Sequence, residues 1–168
     1  MESHAPGRIE FVHRRWPADP GQLSVIRREL AGWLAPLSLT DDETADVVLA
    51  VDEAAANAVR HAYGPDETGS VELTLWTEAR SEDGPSADGH REDGQAGDGQ
   101  GDAGQATLCI EVVDHGSWRP PAERPTEGGR GIPLMTTMSE SVLIHHDERG
   151  SRVLLRHRID DPQRRTGA

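Results

Sequence analysis

The chain has 168 residues, enough for one domain with a sizeable core, and its formal net charge of -13 argues against general binding to nucleic-acid phosphates. All 17 basic residues are Arg, so no lysine is available to bind phosphate or to act in catalysis. The single cysteine, Cys109, excludes an intrachain disulfide and a cysteine-rich zinc site.

The N-terminal third predicts one strand and two helices. Charged residues lie where a signal peptide would need an apolar core, and no apolar run reaches the length of a membrane span, so we expect a cytoplasmic protein that does not bind membranes. Residues 8–16 alternate between apolar and polar side chains, as a strand does. Apolar residues then recur at helical spacing over Gln22–Leu34, and Pro36 ends this helix. The sequence TDDE, residues 40–43, forms a capping box that starts a second helix, Asp41–His61.

A predicted hairpin with a long connection follows. Residues 70–76 and 106–114 alternate as strands and are expected to pair with each other. Residues 80–105 between them consist mainly of Gly, Asp, Ser and Gln. Such a composition buries too little apolar surface to offset its ordering entropy, so we expect a disordered loop.

The last part of the chain predicts a short helix, two strands and a tail. The helix is expected over residues 132–138, the strands over residues 141–147 and 151–159, and residues 160–168 should form a flexible tail. The order of all the elements predicts an α+β fold of two layers, with helices on one face of a mixed, mainly antiparallel sheet.

Glu53 and Asn57 are the first candidate site residues. They lie four residues apart on the second helix, so they project from the same side of it. The apolar face predicted for this helix excludes both residues, and it also excludes Ala50. Glu and Asn are common on solvated helix surfaces, so the pair alone is also consistent with an exposed helix face.

Three further segments have features of a nucleotide-binding site. Asp114 ends a buried strand and can accept a hydrogen bond from an exocyclic amine, while Gly116 allows close approach to a ring. The segment GGRGI, residues 128–132, opens a helix, where backbone donors and the helix dipole favour phosphate. Ser151 provides a hydroxyl at the start of the last strand. Each segment alone has a commoner meaning as a turn or loop.

In this order, the four segments resemble those of the GHKL ATPase family, which has the Bergerat fold. The segments are E-A-x-x-N-A on a helix, D-x-G after a strand, G-R-G-I-x-L-M opening a helix, and G-S before the last strand. The chain most resembles the small anti-sigma-factor serine/threonine-protein kinases of Gram-positive bacteria, and especially the actinobacterial regulators of that type. The resemblance implies a two-layer α/β sandwich of Bergerat type and one histidine-kinase-like ATPase domain over residues 8–159, interrupted by the loop at residues 80–105.

The resemblance implies how the candidate residues would contact the phosphates of ATP. Asn57 would hold the Mg²⁺ that bridges the phosphates. Glu53 would be the catalytic general base that acts on the hydroxyl of a protein serine. Gly129, Arg130 and Gly131 would meet the phosphates through backbone donors and one guanidinium.

The resemblance also implies how the base of ATP would be recognised. Asp114 would accept a hydrogen bond from the adenine amino group, Gly116 would leave room for the base, and Ser151 would support Asp114 directly or through water. One departure from the family pattern is Trp118, which stands where many relatives have a second glycine. The lid that follows it is short and rich in proline.

The implied function is that of an ATP-binding anti-sigma factor. It would sequester a sigma factor and phosphorylate a STAS-type anti-anti-sigma antagonist on serine. The alternative, motivated by the short lid, is a catalytically weak or inactive adaptor that regulates by protein binding only. The partners would be proteins, without nucleic acid or membrane, and a homodimer stays open because relatives commonly dimerise.

Overall fold

The sheet and helices form the two predicted layers. A computed structural model describes residues 9–64, 66–79, 106–117 and 131–159. The five strands in these ranges form one sheet in the order β1-β2-β3-β5-β4, and all neighbouring strands are antiparallel. The predicted α+β fold is confirmed. In chain order the elements are β1 (Val12–Pro17), α1 (Gln22–Leu34), α2 (Asp41–His61), β2 (Ser70–Ala79), β3 (Ala106–Asp114), α3 (Gly131–Met138), β4 (Ser141–Asp147) and β5 (Gly150–Ile159).

Most predicted boundaries agree with the structure, and the largest difference is at β1. This strand begins at Val12, four residues later than predicted. Upstream of it, Ile9 still lies along β2, because its carbonyl accepts the backbone N–H of Thr77 at 2.9 Å and the Thr77 hydroxyl at 3.0 Å. Residues 9–11 therefore follow the sheet without forming the regular ladder. The predicted loop at residues 80–105 and the predicted tail at residues 160–168 lie outside the described residues.

Local sequence defines both ends of α2. The Thr40 hydroxyl accepts the backbone N–H of Glu43 at 3.2 Å, and the Glu43 carboxylate accepts the backbone N–H of Thr40 at 2.7 Å. This is the predicted capping box, a feature that contributes about 1 kcal/mol to the stability of a helix. At the other end, Arg60 and His61 complement the negative end of the helix dipole. These interactions at its two ends help to stabilise a long helix whose middle is rich in alanine.

The central helix of the helical layer is α2. It packs against α1 and α3 and against the strands β2, β3 and β5. Val51 and Ala55 are fully buried on it, and Ala50 and Ala56 are buried as well. The prediction that Ala50 lies outside the apolar face was wrong, because flanking helices cover a wider arc of α2 than the sheet alone would.

The two faces of the sheet differ in composition. The face toward the helices contributes buried apolar side chains to the core, among them Leu73, Leu75 and Ile110. On the other face, Glu111 pairs with Arg152 at 3.3 Å. None of the helices in the described part of the chain is long and apolar enough to cross a membrane. The candidate residues in the described ranges lie on the helical layer, on the turn after β3 and at the adjacent ends of β3 and β5.

Candidate functional site

Asp114 is the buried carboxylate at the end of β3. It is 3% exposed, and it lies opposite Ser151 in the antiparallel pairing of β3 with β5. Its Oδ1 accepts the backbone N–H groups of Gly116 and Ser151, each at 3.2 Å, and its Oδ2 accepts the Ser151 hydroxyl. The structure thus brings Asp114, Gly116 and Ser151 together, with the hydroxyl of Ser151 in direct contact with the carboxylate.

The contacts of Asp114 leave it able to accept a further hydrogen bond. An ionised carboxylate has two oxygens with about four acceptor positions, and the described residues supply three donors. The three donors stabilise the charge where burial would otherwise penalise it. The carboxylate is therefore held in one orientation and suits an N–H donor such as an exocyclic amine.

Gly116 is constrained by the C-terminal end of α2. A Cβ at this position would overlap the carbonyl group of Ala62 and would lie 2.8 Å from the Ala62 Cβ. Ala62 is the C-cap of α2, and its backbone N–H binds the carbonyl of Ala58 at 3.1 Å. The glycine thus allows the turn after β3 to pack directly on the helix end. This structural reason for glycine was not identified from the sequence.

Gly150 positions Ser151 opposite Asp114. Its φ is 131°, a backbone conformation that residues with a side chain rarely adopt. A Cβ there would also overlap the carbonyl of Asp114. The sequence predicted Gly150 only as part of the G-S pair, whereas the structure requires a glycine for both the turn from β4 to β5 and the close approach to β3.

Tyr63 is a residue of this region that sequence reasoning missed. Its hydroxyl donates a hydrogen bond to the carbonyl of Ser70 at 2.6 Å and accepts the backbone N–H of His115 at 3.0 Å. It therefore joins the segment after α2 to the start of β2 and to the residue next to Asp114. The only local signal was an aromatic residue just past a helix end, because both partners are distant in sequence or lie on another element.

Glu53 and Asn57 are partly buried on α2 and lie one turn apart. Neither side chain makes a hydrogen bond or an ion pair with another described residue. The adjacent carboxylate differs, because Asp52 accepts a hydrogen bond from Arg27 Nη1 at 2.8 Å. Glu53 thus presents an acceptor that no described neighbour occupies, and Asn57 presents both its amide oxygen and its amide N–H₂.

The same helix connects this pair to the Asp114 region. At about 1.5 Å per residue, Asn57 lies about 7.5 Å along α2 from Ala62, and Glu53 lies about 13.5 Å from it. The amide oxygen of Asn57 suits a hard cation such as Mg²⁺, which binds a few protein oxygens and takes its other ligands from phosphate and water. The donor set on α2 therefore fits a magnesium nucleotide.

The predicted glycine segment is described only in part. Gly131 begins α3, which packs against α2 and is anchored in the core by the buried Met135. Gly129 and Arg130, predicted to contact phosphates, lie outside the described residues, as does Trp118. The helix that the segment was expected to open is therefore confirmed over Gly131–Met138, while the phosphate contacts stay a prediction.

Sequence comparison identifies relatives over most of the chain. Residues 16–157 match the family model described as a histidine kinase-like ATPase domain. The serine-protein kinase RsbW of Bacillus licheniformis is 30% identical over 162 residues, which cover 90% of this chain and 91% of that protein. The protein of the same name from Bacillus subtilis (strain 168) is 30% identical over 145 residues, which cover 82% of this chain and 79% of that protein.

A solved structure supports the fold. The crystal structure of the RsbU and RsbW domains of Rv1364c from Mycobacterium tuberculosis has a TM-score of 0.60 and 22% sequence identity, over 92% of this chain. The match spans only 34% of that larger chain. The family model and the two Bacillus relatives show that the chain belongs to the histidine kinase-like ATPase domain family and is related to the serine-protein kinases RsbW.

Proposed function

We propose that the protein is an ATP-dependent serine-protein kinase that also acts as an anti-sigma factor. It binds a sigma factor and phosphorylates a STAS-type anti-anti-sigma antagonist on serine. Membership of the histidine kinase-like ATPase domain family supports the use of ATP, and the RsbW relatives support transfer to serine. The observation that carries the proposal is that Glu53 and Asn57 lie on one side of α2, and that neither side chain makes a hydrogen bond or an ion pair with another described residue.

In this proposal, Asp114 recognises adenine. Its remaining acceptor position receives an N–H of the adenine amino group, and the hydrogen bond from the Ser151 hydroxyl keeps the carboxylate turned toward the base. Gly116 leaves room beside the base while it packs on Ala62. The recognition depends on the carboxylate being an acceptor only, since a guanine presents a carbonyl oxygen in place of the amine.

At the phosphate end, Asn57 holds Mg²⁺ through its amide oxygen. The ion neutralises charge on the phosphates when it is bound. Gly131 begins α3, and in the proposal the backbone donors of Gly129 and Gly131 and the guanidinium of Arg130 contact the same phosphates. Phosphate binding by this segment is favoured by the positive end of the α3 dipole.

Glu53 is the general base of the proposed transfer. Its carboxylate accepts the proton of the acceptor serine as the serine oxygen attacks the γ-phosphorus of ATP. The bond between the γ-phosphorus and the oxygen that bridges to the β-phosphate breaks, and ADP leaves with that oxygen. The products are ADP and phosphoserine, and the proton rests on Glu53 until water removes it.

The proposal includes the setting in which the protein works. A sigma factor and its STAS-type antagonist act on transcription, so the proposed location is the cytoplasm. A homodimer is compatible with this proposal. A catalytically weak or inactive adaptor that regulates by protein binding only is the competing function, and it differs from the kinase in needing neither phosphate transfer nor Glu53.

A thermal-shift titration with ATP and with ADP, with and without Mg²⁺, tests nucleotide binding. We expect stabilisation that depends on the metal in the wild-type protein, because a ligand that binds only the folded state raises its stability. Asn57→Ala should lose the dependence on Mg²⁺, and this is the only asparagine in the chain. The matched control is Arg28→Ala at an exposed position of α1. The absence of any shift in the wild-type protein would favour the adaptor.

Phosphate transfer is tested separately. Wild-type protein should move the γ-phosphate of ATP to a serine of at least one purified STAS-type antagonist, and Glu53→Ala should not. If the wild-type protein binds ATP but phosphorylates no antagonist, and Glu53→Ala keeps the cellular effect, then the kinase proposal is wrong.

A further inference from the structure

We propose that Leu49 is a specificity-determining residue for the protein acceptor: it receives an apolar side chain that lies next to the phosphorylated serine. This inference rests on the proposed kinase function and extends it from the nucleotide to the acceptor. It requires that the acceptor segment cross α2 beside Glu53, and three observations support that path.

The first observation is the position of an exposed leucine. Among the described residues the large apolar side chains that are exposed are Phe11, Leu49 and Leu143, and the first and last of them lie near or on the edge strands of the sheet. Leu49 is 38% exposed and lies on α2, four residues before Glu53. Single exposed apolar residues are common, so exposure by itself means little. The spacing of one helical turn places Leu49 and Glu53 on the same side of α2, about 6 Å apart along its axis.

The second observation is the direction of the site along α2. The Asp114 region meets the helix at Ala62, through the contact with Gly116. Starting from Ala62, Asn57 comes first, Glu53 follows, and Leu49 lies about 19.5 Å along the axis. A nucleotide whose base is at Asp114 and whose metal is at Asn57 ends with its γ-phosphate toward Glu53. The acceptor must then approach from beyond Glu53, which is where Leu49 lies.

The third observation is the charge around Leu49. Asp42 and Asp46 are exposed and lie on the same side of α2 as Leu49, farther toward its N-terminus. Neither makes a hydrogen bond or an ion pair with another residue of the described ranges. Asp52, by contrast, is paired with Arg27. The surface beyond Leu49 therefore repels acidic residues and suits a basic side chain.

These observations define the chemistry of the acceptor segment. Its serine lies at Glu53, an apolar side chain beside the serine packs on Leu49, and a basic side chain farther along faces Asp46. Packing on Leu49 removes apolar surface from water, which strengthens acceptor binding without touching the nucleotide. Replacing leucine by serine should therefore raise the KM for the acceptor by roughly tenfold.

The test compares Leu49→Ser with Leu143→Ser, an equivalent change at an exposed leucine of the edge strand β4. Initial rates of phosphate transfer are measured against the concentration of a purified STAS-type antagonist at saturating ATP and Mg²⁺. For Leu49→Ser we expect the KM for the antagonist to rise about tenfold, while kcat stays within about twofold and the stabilisation by ATP is unchanged. Leu143→Ser should match the wild type in all three measurements.

Two results would overturn the inference. One is a KM for Leu49→Ser within about twofold of the wild-type value. The other is a loss of stabilisation by ATP in this variant, which would assign Leu49 to the nucleotide. If the wild-type protein transfers no phosphate to any antagonist, the kinase proposal is what fails. The role of Leu49 is then tested by measuring the affinity of the wild-type protein and of Leu49→Ser for the same antagonists in the presence of ADP and Mg²⁺. Weaker binding by Leu49→Ser supports the inference. Equal affinities, or no detectable binding by either protein, contradict it.

Discussion

The two ends of the candidate site on α2 are built in opposite ways. Asp114 is buried and accepts three hydrogen bonds from described residues, whereas Glu53 and Asn57 are partly exposed and accept none from them. A buried carboxylate needs donors to offset its desolvation, and those donors hold it in one orientation. The partly buried pair receives no donor from the described residues and so stays open to a ligand. In the proposed function, the base end at Asp114 is thus preorganised by the protein, while the transfer end at Glu53 and Asn57 would be completed by nucleotide, metal and acceptor.

The largest expected effect comes from the transfer end. Glu53→Gln removes the proposed base but keeps the shape of the side chain, so phosphate transfer should fall by roughly 10²- to 10⁴-fold while stabilisation by ATP is retained. The assay is the rate of transfer from ATP to a STAS-type antagonist. Asp52→Asn is the matched control, because this neighbouring carboxylate is already paired with Arg27. Equal losses in both variants would show that charge on α2, and no specific base, supports the reaction.

The next effect concerns the base end. Asp114→Asn replaces an acceptor-only group by one that also donates, so its amide N–H₂ would oppose the amino group of adenine. Affinity for ATP, measured by calorimetric titration, should fall by roughly 100-fold, which corresponds to about 2.7 kcal/mol. Glu111→Gln, on the same strand but on the other face of the sheet, should leave the affinity unchanged. Undiminished ATP binding by Asp114→Asn would show that Asp114 does not recognise adenine.

A smaller effect tests the contact between the base end and α2. Gly116→Ala would force a methyl group into the Ala62 carbonyl, so the free energy of unfolding should fall by roughly 1–3 kcal/mol. Gly32→Ala is the matched change, because nothing lies within 4 Å of the Cβ that it adds to α1. There the loss of glycine from a helix should raise stability by roughly 0.5–1 kcal/mol. Denaturant unfolding measures both, and the same sign in both variants would contradict the close contact.

Ser151→Ala removes one of the three donors to Asp114 and keeps the two backbone donors. We expect a loss of about 1 kcal/mol in the free energy of unfolding, and a decrease in ATP affinity of only a few fold. Ser141→Ala, at an exposed position of β4, should change neither quantity. An effect of Ser151→Ala as large as that of Asp114→Asn would mean that the hydroxyl contacts the ligand itself.

The smallest expected effect is at Cys109, which lies outside both ends and reports whether the fold is intact. Burial, together with the negative charge of Glu78, raises the pKa of this thiol to about 11. The reactive thiolate is therefore scarce in the folded protein at pH 8, and its reaction with a disulfide reagent should be slow. The rate should be unchanged in Glu53→Gln and in Asp114→Asn. A fast reaction in either variant would show that the substitution unfolds the protein. The loss of transfer or of ATP affinity in that variant would then not be a local effect.

Local patterns in the sequence predicted most of the elements. The capping box and the apolar spacing placed α2 at Asp41–His61, and alternation placed β3 at Ala106–Asp114, as the structure has them. Such patterns work because a helix start and a strand face depend on near neighbours. They failed at Ala50, whose burial depends on helices that pack from either side.

The sequence by itself determined the family, through the order of its four motifs, and it singled out the residues Glu53, Asn57, Asp114 and Ser151. Only the tertiary structure decided that Ser151 contacts Asp114 directly, that Gly116 packs on Ala62, and that Tyr63 joins three elements. The contacts of Ser151 with Asp114, of Gly116 with Ala62 and of Tyr63 with His115 join segments that are distant along the chain; Asp114 and Ser151, for example, are 37 positions apart. Their distances depend on the register of β3 with β5 and on the packing of α2, which no short stretch of sequence specifies.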